Sequence, residues 1–388
     1  MASIRLAIIG LSSSAVTSWA SSAHLPYLLS ARGRAKYNIV ALCNSSVESA
    51  KKAISTYGLD VEKTRAYGDP AALAADPDVD LVLCCTRVDT HYDLIKPSVE
   101  AGKAAFVEWP LTHDVARSQE LADLAAKKGI RTMVGLQGRL APVVLELKEL
   151  LHGGSLGKIL SSEVRAHGGT VDREMIAEGL GYFAERKIGG NIFMIGFAHM
   201  FDYVQSIIGQ AVDTHSQLQL QRPNMKLRDP ATNNVVKTVT SDVPDLITVT
   251  GSLRGSEVAQ EEASLLVRFR RGQQFKGEPA LTWHINCEKG EVRLTAPSGT
   301  SLHANSYSDP VTIEVHDFQT DEVRNVPWEW PKWEEELNLP IVGRSVAKLY
   351  EAFHAETVEG GPRTYPNFSD AIDRHEQLAK LLASWSTA

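Results

Sequence analysis

The chain has 388 residues, 43% of them hydrophobic and 22% charged, with a formal net charge of -7. That length exceeds one ordinary hydrophobic core and predicts two domains. The acidic balance, with no basic stretch along the chain, argues against direct nucleic-acid binding. No apolar run approaches the roughly 20 residues of a membrane helix, and the apolar run at the N-terminus is too short for a secretory signal. A cytoplasmic protein without a membrane partner is expected. Cys43, Cys84, Cys85 and Cys287 have no metal-ligand spacing and read as reduced core thiols.

Taken in order, Ile4 to Ile9 is an apolar run ending at Gly10, the pattern of a buried parallel strand. A small-residue loop and a helical stretch from His24 to Leu29 follow. Strands are predicted at Tyr37 to Cys43, Thr64 to Tyr67, Leu81 to Cys85, Ala104 to Val107 and Arg131 to Gly135. Helices fall at Val47 to Tyr57, Tyr92 to Ala101 and Val115 to Lys128. This alternation predicts an α/β Rossmann domain, a doubly wound parallel sheet, over residues 1–135.

Beyond a helix at Pro142 to Leu151 the pattern changes. Strand-like runs at Ile159 to Ala166, Thr214 to Leu220, Asp245 to Leu253, Ser264 to Arg270, Leu281 to Cys287 and Glu291 to Thr295 lack intervening helices. They predict an α+β second domain, residues 136–360, with a large, mostly antiparallel open sheet. An apolar helix from Gly190 to Ile208 is embedded among them, and helices at Val342 to Thr357 and Ser369 to Trp385 follow. Residues 361–388 are expected to pack back on the first domain. The turn-rich stretch Pro223 to Asp242 reads as a mobile loop.

The first strand-loop-helix unit is where a dinucleotide's pyrophosphate meets glycine-rich backbone at a helix N-terminus. Here the loop reads Gly10-Leu11-Ser12-Ser13-Ser14, and only the first glycine of the motif is present. Serine backbone N–H groups and hydroxyls still offer donors to phosphate. At the end of the second strand, Asn44-Ser45-Ser46 stands where an Asp or Glu would hold the ribose 2′-OH and repel a 2′-phosphate. The missing carboxylate favours NADP over NAD, although no arginine is there to bind the extra phosphate. Ser46 also fits a plain helix N-cap.

From Asp80 to Thr86-Arg87-Val88-Asp89-Thr90-His91, through Glu100-Ala101-Gly102-Lys103, to Phe106-Val107-Glu108-Trp109-Pro110-Leu111, the chain resembles the Gfo/Idh/MocA oxidoreductase family. Gly189-Gly190-Asn191 and His199 to Asp202 continue the likeness. Within that family, His24-Leu25-Pro26, the Trp109 segment and Leu136-Gln137-Gly138-Arg139 are similar to the fungal Gal80 branch. The resemblance implies NAD(P) binding by Thr86, Arg87, His91, Glu108, Trp109 and Gln137, a cis bond before Pro110, and a homodimer formed through the open sheet. Nuclear location and a protein partner are implied if the chain is a Gal80-like regulator.

Two departures bear on mechanism. Catalytic members carry a lysine at Trp109 and an aspartate at Ile195, groups that bind substrate and move protons. Trp offers one N–H donor and no titratable proton, and Ile offers neither. His199 shares a helix face with Ile195 and Asp202 and is the remaining candidate acid/base, unless it is simply packed at an interface. Tyr182 is a second candidate proton donor, or a packing tyrosine. Arg139 either clamps an anionic substrate or sits in an ion pair, and Trp109 either stacks on nicotinamide or fills space. The tryptophans at 328, 330 and 333 form a partner surface or a packing segment.

Three functions are compatible with these residues. One is an NAD(P)-dependent oxidoreductase of a small polyol, sugar or carbonyl compound, using His199 and Tyr182, with Arg139 and Trp109 at the substrate. The second is a non-catalytic NAD(P)-binding regulator, and the third is cofactor-assisted non-redox chemistry.

Overall fold

The computed structural model describes residues 3–12, 14, 18–168, 172–383 and 385. Strand β1 (Ile4–Ile9) is buried along almost its whole length, as an interior parallel strand must be. It is joined by β2 (Tyr37–Cys43), β3 (Arg65–Tyr67), β4 (Leu81–Cys84), β5 (Ala104–Val107) and β6 (Thr132–Val134) in one six-stranded sheet of order β3-β2-β1-β4-β5-β6. Every pairing is parallel. This is the strand order of a dinucleotide-binding fold, which changes direction between β1 and β4.

The register matters for the site. Cys43, Ile9, Cys84, Val107 and Val134 lie side by side across neighbouring strands. The residues that follow them therefore emerge along one edge, at the carboxyl ends of the strands.

The chain contacts divide the protein into two compact units, the first running to Gln137 and including Lys332–Glu376, the second comprising Gly138–Pro331 and the chain from Gln377. The helix Ile341–Glu359, expected with the second domain, thus belongs to the first. Aromatic packing explains this. Tyr350 stacks on Tyr27 at 5.7 Å and meets Tyr37 and Phe106 edge-on at 5.1 and 5.5 Å. Next to it, the Glu351 carboxylate accepts from Tyr27 Oη at 2.5 Å, Arg32 Nε at 2.7 Å and Lys36 Nζ at 2.8 Å. The C-terminal segment also ties to this unit, with Val134 N donating to Pro366 O at 3.0 Å.

The second unit is built on β7 (Ile159–Gly168), β9 (Ala211–Gln219), β12 (Leu246–Leu253), β13 (Ala259–Arg271), β14 (Leu281–Cys287), β15 (Gly290–Ala296), β16 (Thr312–Asp317) and β17 (Glu322–Val326). They form an eight-stranded sheet of order β17-β16-β15-β14-β7-β13-β12-β9, antiparallel except where β13 meets β7. Alternate residues of β14 and β15 are buried, so one face carries the core. Phe193, Phe197 and Phe201 stack at 5.3 and 5.1 Å, and Phe197 meets Phe269 of β13 at 6.0 Å.

The stretch Pro223 to Asp242 is not a loop. It forms β10 (Asn224–Arg228) and β11 (Val235–Thr240), an antiparallel hairpin that β8 (Met175–Ala177) joins in parallel. Asp229, Pro230 and the asparagine pair make its turn, with Asn233 N donating to Asp229 O at 2.8 Å and Asn233 at φ 61°. Met225 and Leu227 hold it down against Ile176 and Ala184. All four cysteines are unpaired and buried, and among the described residues no helix is long and apolar enough to cross a membrane.

Candidate functional site

At the carboxyl edge of the first unit, Gly10 turns the chain with φ 100°, and a Cβ there would stand 2.4 Å from the Cys85 carbonyl oxygen and 2.6 Å from Thr86 Cγ2. Only glycine fits both the dihedral and the space. Asn44, just past β2, donates from Nδ2 to Leu11 O at 2.9 Å and fixes the loop from the other side. Leu11 is fully buried. Tyr57 Oη donates to Ser12 O at 3.0 Å, and Ser14 N donates to Ser12 Oγ at 3.2 Å. Ser13 lies outside the described residues. Ser45 is exposed, while Ser46 spends its hydroxyl capping the helix Val47–Thr56, accepting from Ser49 N at 3.1 Å.

Past β4, the Thr86 and Thr90 hydroxyls bond at 2.9 Å, and Arg87 forks onto Asp89 at 2.6 and 2.7 Å. His91 is almost fully buried, with one ring nitrogen 3.0 Å from Pro110 O and the other 3.0 Å from Thr86 O. A neutral imidazole has one N–H, so His91 donates to one of these two carbonyls, and both ring nitrogens face backbone oxygens of the same unit. Burial lowers its pKa from the ordinary value.

Past β5, Glu108 Oε1 meets His24 Nε2 at 2.9 Å, and His24 Nδ1 meets Tyr350 Oη at 2.8 Å. A carboxylate on Nε2 requires the proton there, so Nδ1 accepts from the tyrosine. The carboxylate expected at the cofactor is thus committed to a buried chain within the unit. Trp109 precedes Pro110 through a cis bond, and its indole packs on His375 at 4.7 Å with 5% exposure. Burial pushes the His375 imidazole down to about 4.

Two acceptors in this unit, Asn44 Oδ1 and Gln137 Oε1, are buried with no hydrogen-bond partner. Such atoms are costly unless a donor reaches them. Ribose hydroxyls and a carboxamide N–H are donors of the right kind. Together with the bare backbone at Gly10, these residues fit a nicotinamide dinucleotide.

In the second unit, Asn191 Oδ1 accepts from Phe193 N and Met194 N at 3.1 and 3.0 Å, starting a wide π-type turn, Ile192–Phe197, that runs into the helix Ala198–Ile208. Such turns recur at functional sites because they re-aim a helix face. His199, 8% exposed, lies with its ring 4.5 Å from that of His303. His303 has no sequence signal, because it sits in an irregular loop with no periodic context. Burial, with His199 alongside, pushes its pKa well below the ordinary value, so it stays neutral.

Arg139 does not wait for an anion. Its guanidinium forks onto Asp202 at 2.9 and 2.8 Å, an ion pair within the unit whose carboxylate is buried and whose guanidinium is half-buried. Gly138 leaves room beside the pair, since a Cβ would be 3.3 Å from Tyr203 Cδ1 and 3.5 Å from His303 Nδ1. Tyr203 Oη donates to Thr300 O at 3.0 Å. Tyr182 is half-buried, and its ring packs on Phe183 at 5.1 Å. The tryptophans separate. Trp328 and Trp330 pack with Tyr307, while Trp333 packs on Tyr27 in the first unit.

A 3-2-1-4-5-6 parallel sheet with a glycine turn at its carboxyl edge, followed by a unit with a large open sheet, defines the architecture of a two-unit nicotinamide-dependent oxidoreductase. Residues 4–136 match the family described as an oxidoreductase family with an NAD-binding Rossmann fold, and residues 142–296 match the Gal80p C-terminal domain. The dehydrogenase aclE of Aspergillus oryzae is 33% identical over 310 residues, 78% of this chain and 79% of that protein. The galactose/lactose metabolism regulatory protein GAL80 of Saccharomyces cerevisiae is 24% identical over 389 residues, 98% of this chain and 85% of that one. Among solved structures, a super-repressor mutant of Gal80p from the same yeast superposes with a TM-score of 0.85 at 21% identity, covering 99% of this chain and 96% of that chain. The chain belongs to the Gfo/Idh/MocA oxidoreductase family, with a Gal80-like second half.

Proposed function

We propose that the protein is an NAD(P)-dependent oxidoreductase of a small polyol, sugar or carbonyl compound, with His199 as its acid/base. The observation that carries this reading is the buried pair formed by His199, on the helix that follows the Asn191 turn, and His303, from a loop. His303, kept neutral by burial, packs against His199 without adding a charge, so a proton that His199 takes up meets no second cation there. The nicotinamide supplies hydride transfer when bound. Gly10, Asn44 and Gln137 would hold it, and the absence of a carboxylate after β2, with Ser45 exposed, favours NADP. The Arg139–Asp202 pair positions Gly138 and the helix rather than binding the substrate.

A second reading, a non-catalytic NAD(P)-binding regulator, is favoured by one observation. Trp109 occupies the lysine position with its ring packed on His375, and Ile195 occupies the aspartate position. Both readings are tested by identifying the nucleotide that co-purifies and following reduced-nicotinamide absorbance against a panel of polyols, sugars and carbonyl compounds. In the oxidoreductase, His199→Ala lowers kcat by about 10²–10⁴ at unchanged nucleotide affinity. Tight nucleotide binding with no turnover across the panel leaves the regulator.

A further inference from the structure

The eight-stranded sheet gathers cations that lie far apart in the sequence. On β7, Arg165 and His167 are two residues apart and share one face. Their partners on the parallel neighbour β13 are Arg268 and Arg270. Four cationic or titratable side chains thus form a two-by-two grid on adjacent strands. Like charges directly opposite each other destabilise a sheet.

The surroundings do not neutralise the grid. The charges acting most on Arg270 are those of Arg173, Arg268, Arg222 and Arg165, all of the same sign. Glu278 is the acidic counterpart, bonded to Arg165 at the exposed margin. The contrast with the next residue is informative. Arg271 points to the opposite side of the strand, where Asp245 and Asp172 offset its charge.

Hydrogen-bonding groups at the buried end of the grid are unspent. His167 is 6% exposed, and neither of its ring nitrogens has a partner. Arg270 Nε is buried without an acceptor, although Nη2 reaches Gln273 O at 2.8 Å. Arg173 Nη2 reaches the same carbonyl at 3.1 Å, which brings another guanidinium to this corner. Buried donors in a field of positive charge match an oxyanion, which accepts several hydrogen bonds and supplies the missing charge.

We propose that Arg165, His167, Arg268 and Arg270 form an anion site on the open face of the eight-stranded sheet that binds a phosphate group, either as inorganic phosphate or as a phosphate monoester. Guanidinium forks suit its tetrahedral oxygens. The site is made entirely of second-unit residues.

The test titrates the full-length protein, saturated with its nucleotide, with inorganic phosphate and with a phosphorylated triose or hexose. Sodium chloride holds the ionic strength constant, and calorimetry and thermal denaturation are the readouts. Wild type gains a saturable rise in Tm from phosphate that chloride does not give. Arg268→Gln weakens the phosphate affinity at least about tenfold, as expected for a lost charge-assisted hydrogen bond. Tighter binding of the sugar phosphate than of inorganic phosphate identifies a monoester as the ligand, and equal binding identifies the free ion. In chloride alone, Arg268→Gln has an unchanged or higher Tm, because one repelling charge is gone. Arg165→Gln, at the exposed margin, serves as the second variant if Arg268→Gln does not fold. A phosphate response that is the same in wild type and variant, or matched by chloride, overturns the proposal. So does an Arg268→Gln protein that loses dimers in sedimentation while its phosphate response is intact, because the arginines then serve a second copy of the chain.

Discussion

Replacing Glu351 by Gln removes one charge from the junction of the N-terminal helices with the helix Ile341–Glu359. In the native protein the Arg32, Lys36 and Tyr27 side chains together outweigh burial and hold the Glu351 carboxyl down from 4.5 to about 2. The carboxylate is 16% exposed, so solvent screens it only partly. At 1.36 kcal/mol per pH unit, the charge contributes about 3 kcal/mol at neutral pH. Because the folded value is depressed, the contribution is present above pH 4.5 and is lost as pH falls towards 2. Glu351→Gln keeps the shape and one acceptor for Tyr27, so it isolates the charge. Calorimetric scans at pH 7 are expected to show the first unit's transition lowered by about 6–12 °C, the shift that about 3 kcal/mol produces in a unit of this size. The gap between wild type and variant narrows by about half as the scans move from pH 5 to pH 3. A gap that stays constant across that range would refute the electrostatic account, and one worth less than about 1 kcal/mol would reduce the cluster to an ordinary surface ion pair.

Glu334 behaves in the opposite sense. Its carboxyl is fully buried, neither oxygen has a hydrogen-bond partner, and Lys348 Nζ is 3.7 Å away, so burial raises it to about 7. The folded state favours the proton, and this stability is present at acid pH and lost as pH rises through 7. Glu334→Gln is therefore expected to raise Tm relative to wild type at pH 8 and to match it at pH 5, and a penalty at pH 8 would count against the buried-carboxyl account. Gly10→Ala forces a side chain into the Cys85 carbonyl at a positive φ, which costs about 1–3 kcal/mol in dihedral strain alone. The measured outcome is a lower Tm together with weaker nucleotide binding, and unchanged values for both would show that the loop relaxes freely.

The parts of the fold legible in sequence were those with a single physical driver. β2, β5 and β14 fall on the predicted residues because each is an apolar or strictly alternating run with clear ends. The helix Val115–Lys128 does so because Asp114 caps one end and Gly129, in the left-handed conformation, closes the other. The strands β8, β10, β11, β16 and β17 carried no such signal. They are short, and β11 and β17 are mostly exposed, so side-chain burial imposes little pattern on them. The turn residues between Pro223 and Asp242 were real, but they close a hairpin whose hold comes from Met225 and Leu227 packing across sequence distance. The arginine grid was invisible for the same reason, since strand pairing assembles it from separated segments.

The site was legible as position but not as engagement. Sequence order placed Gly10, Asn44, Thr86, Glu108 and Gln137 after strands whose register then brings them to one edge. It could not show which of these groups are already committed. Glu108 is held by His24, His91 by one of the two carbonyls it faces, Arg87 by Asp89 and Arg139 by Asp202. Proton traffic through any of those residues would first have to break a bond that the fold needs. His199 packs against another imidazole, that of His303, which burial keeps neutral. Protonating one of two rings at 4.5 Å disfavours protonating the other. On the proposed reading, that limit suits a group that takes up a single proton and releases it in each turnover. On the same reading, the imidazole stands in for the lysine and aspartate that the family resemblance leads one to expect at positions 109 and 195, where this chain has Trp and Ile.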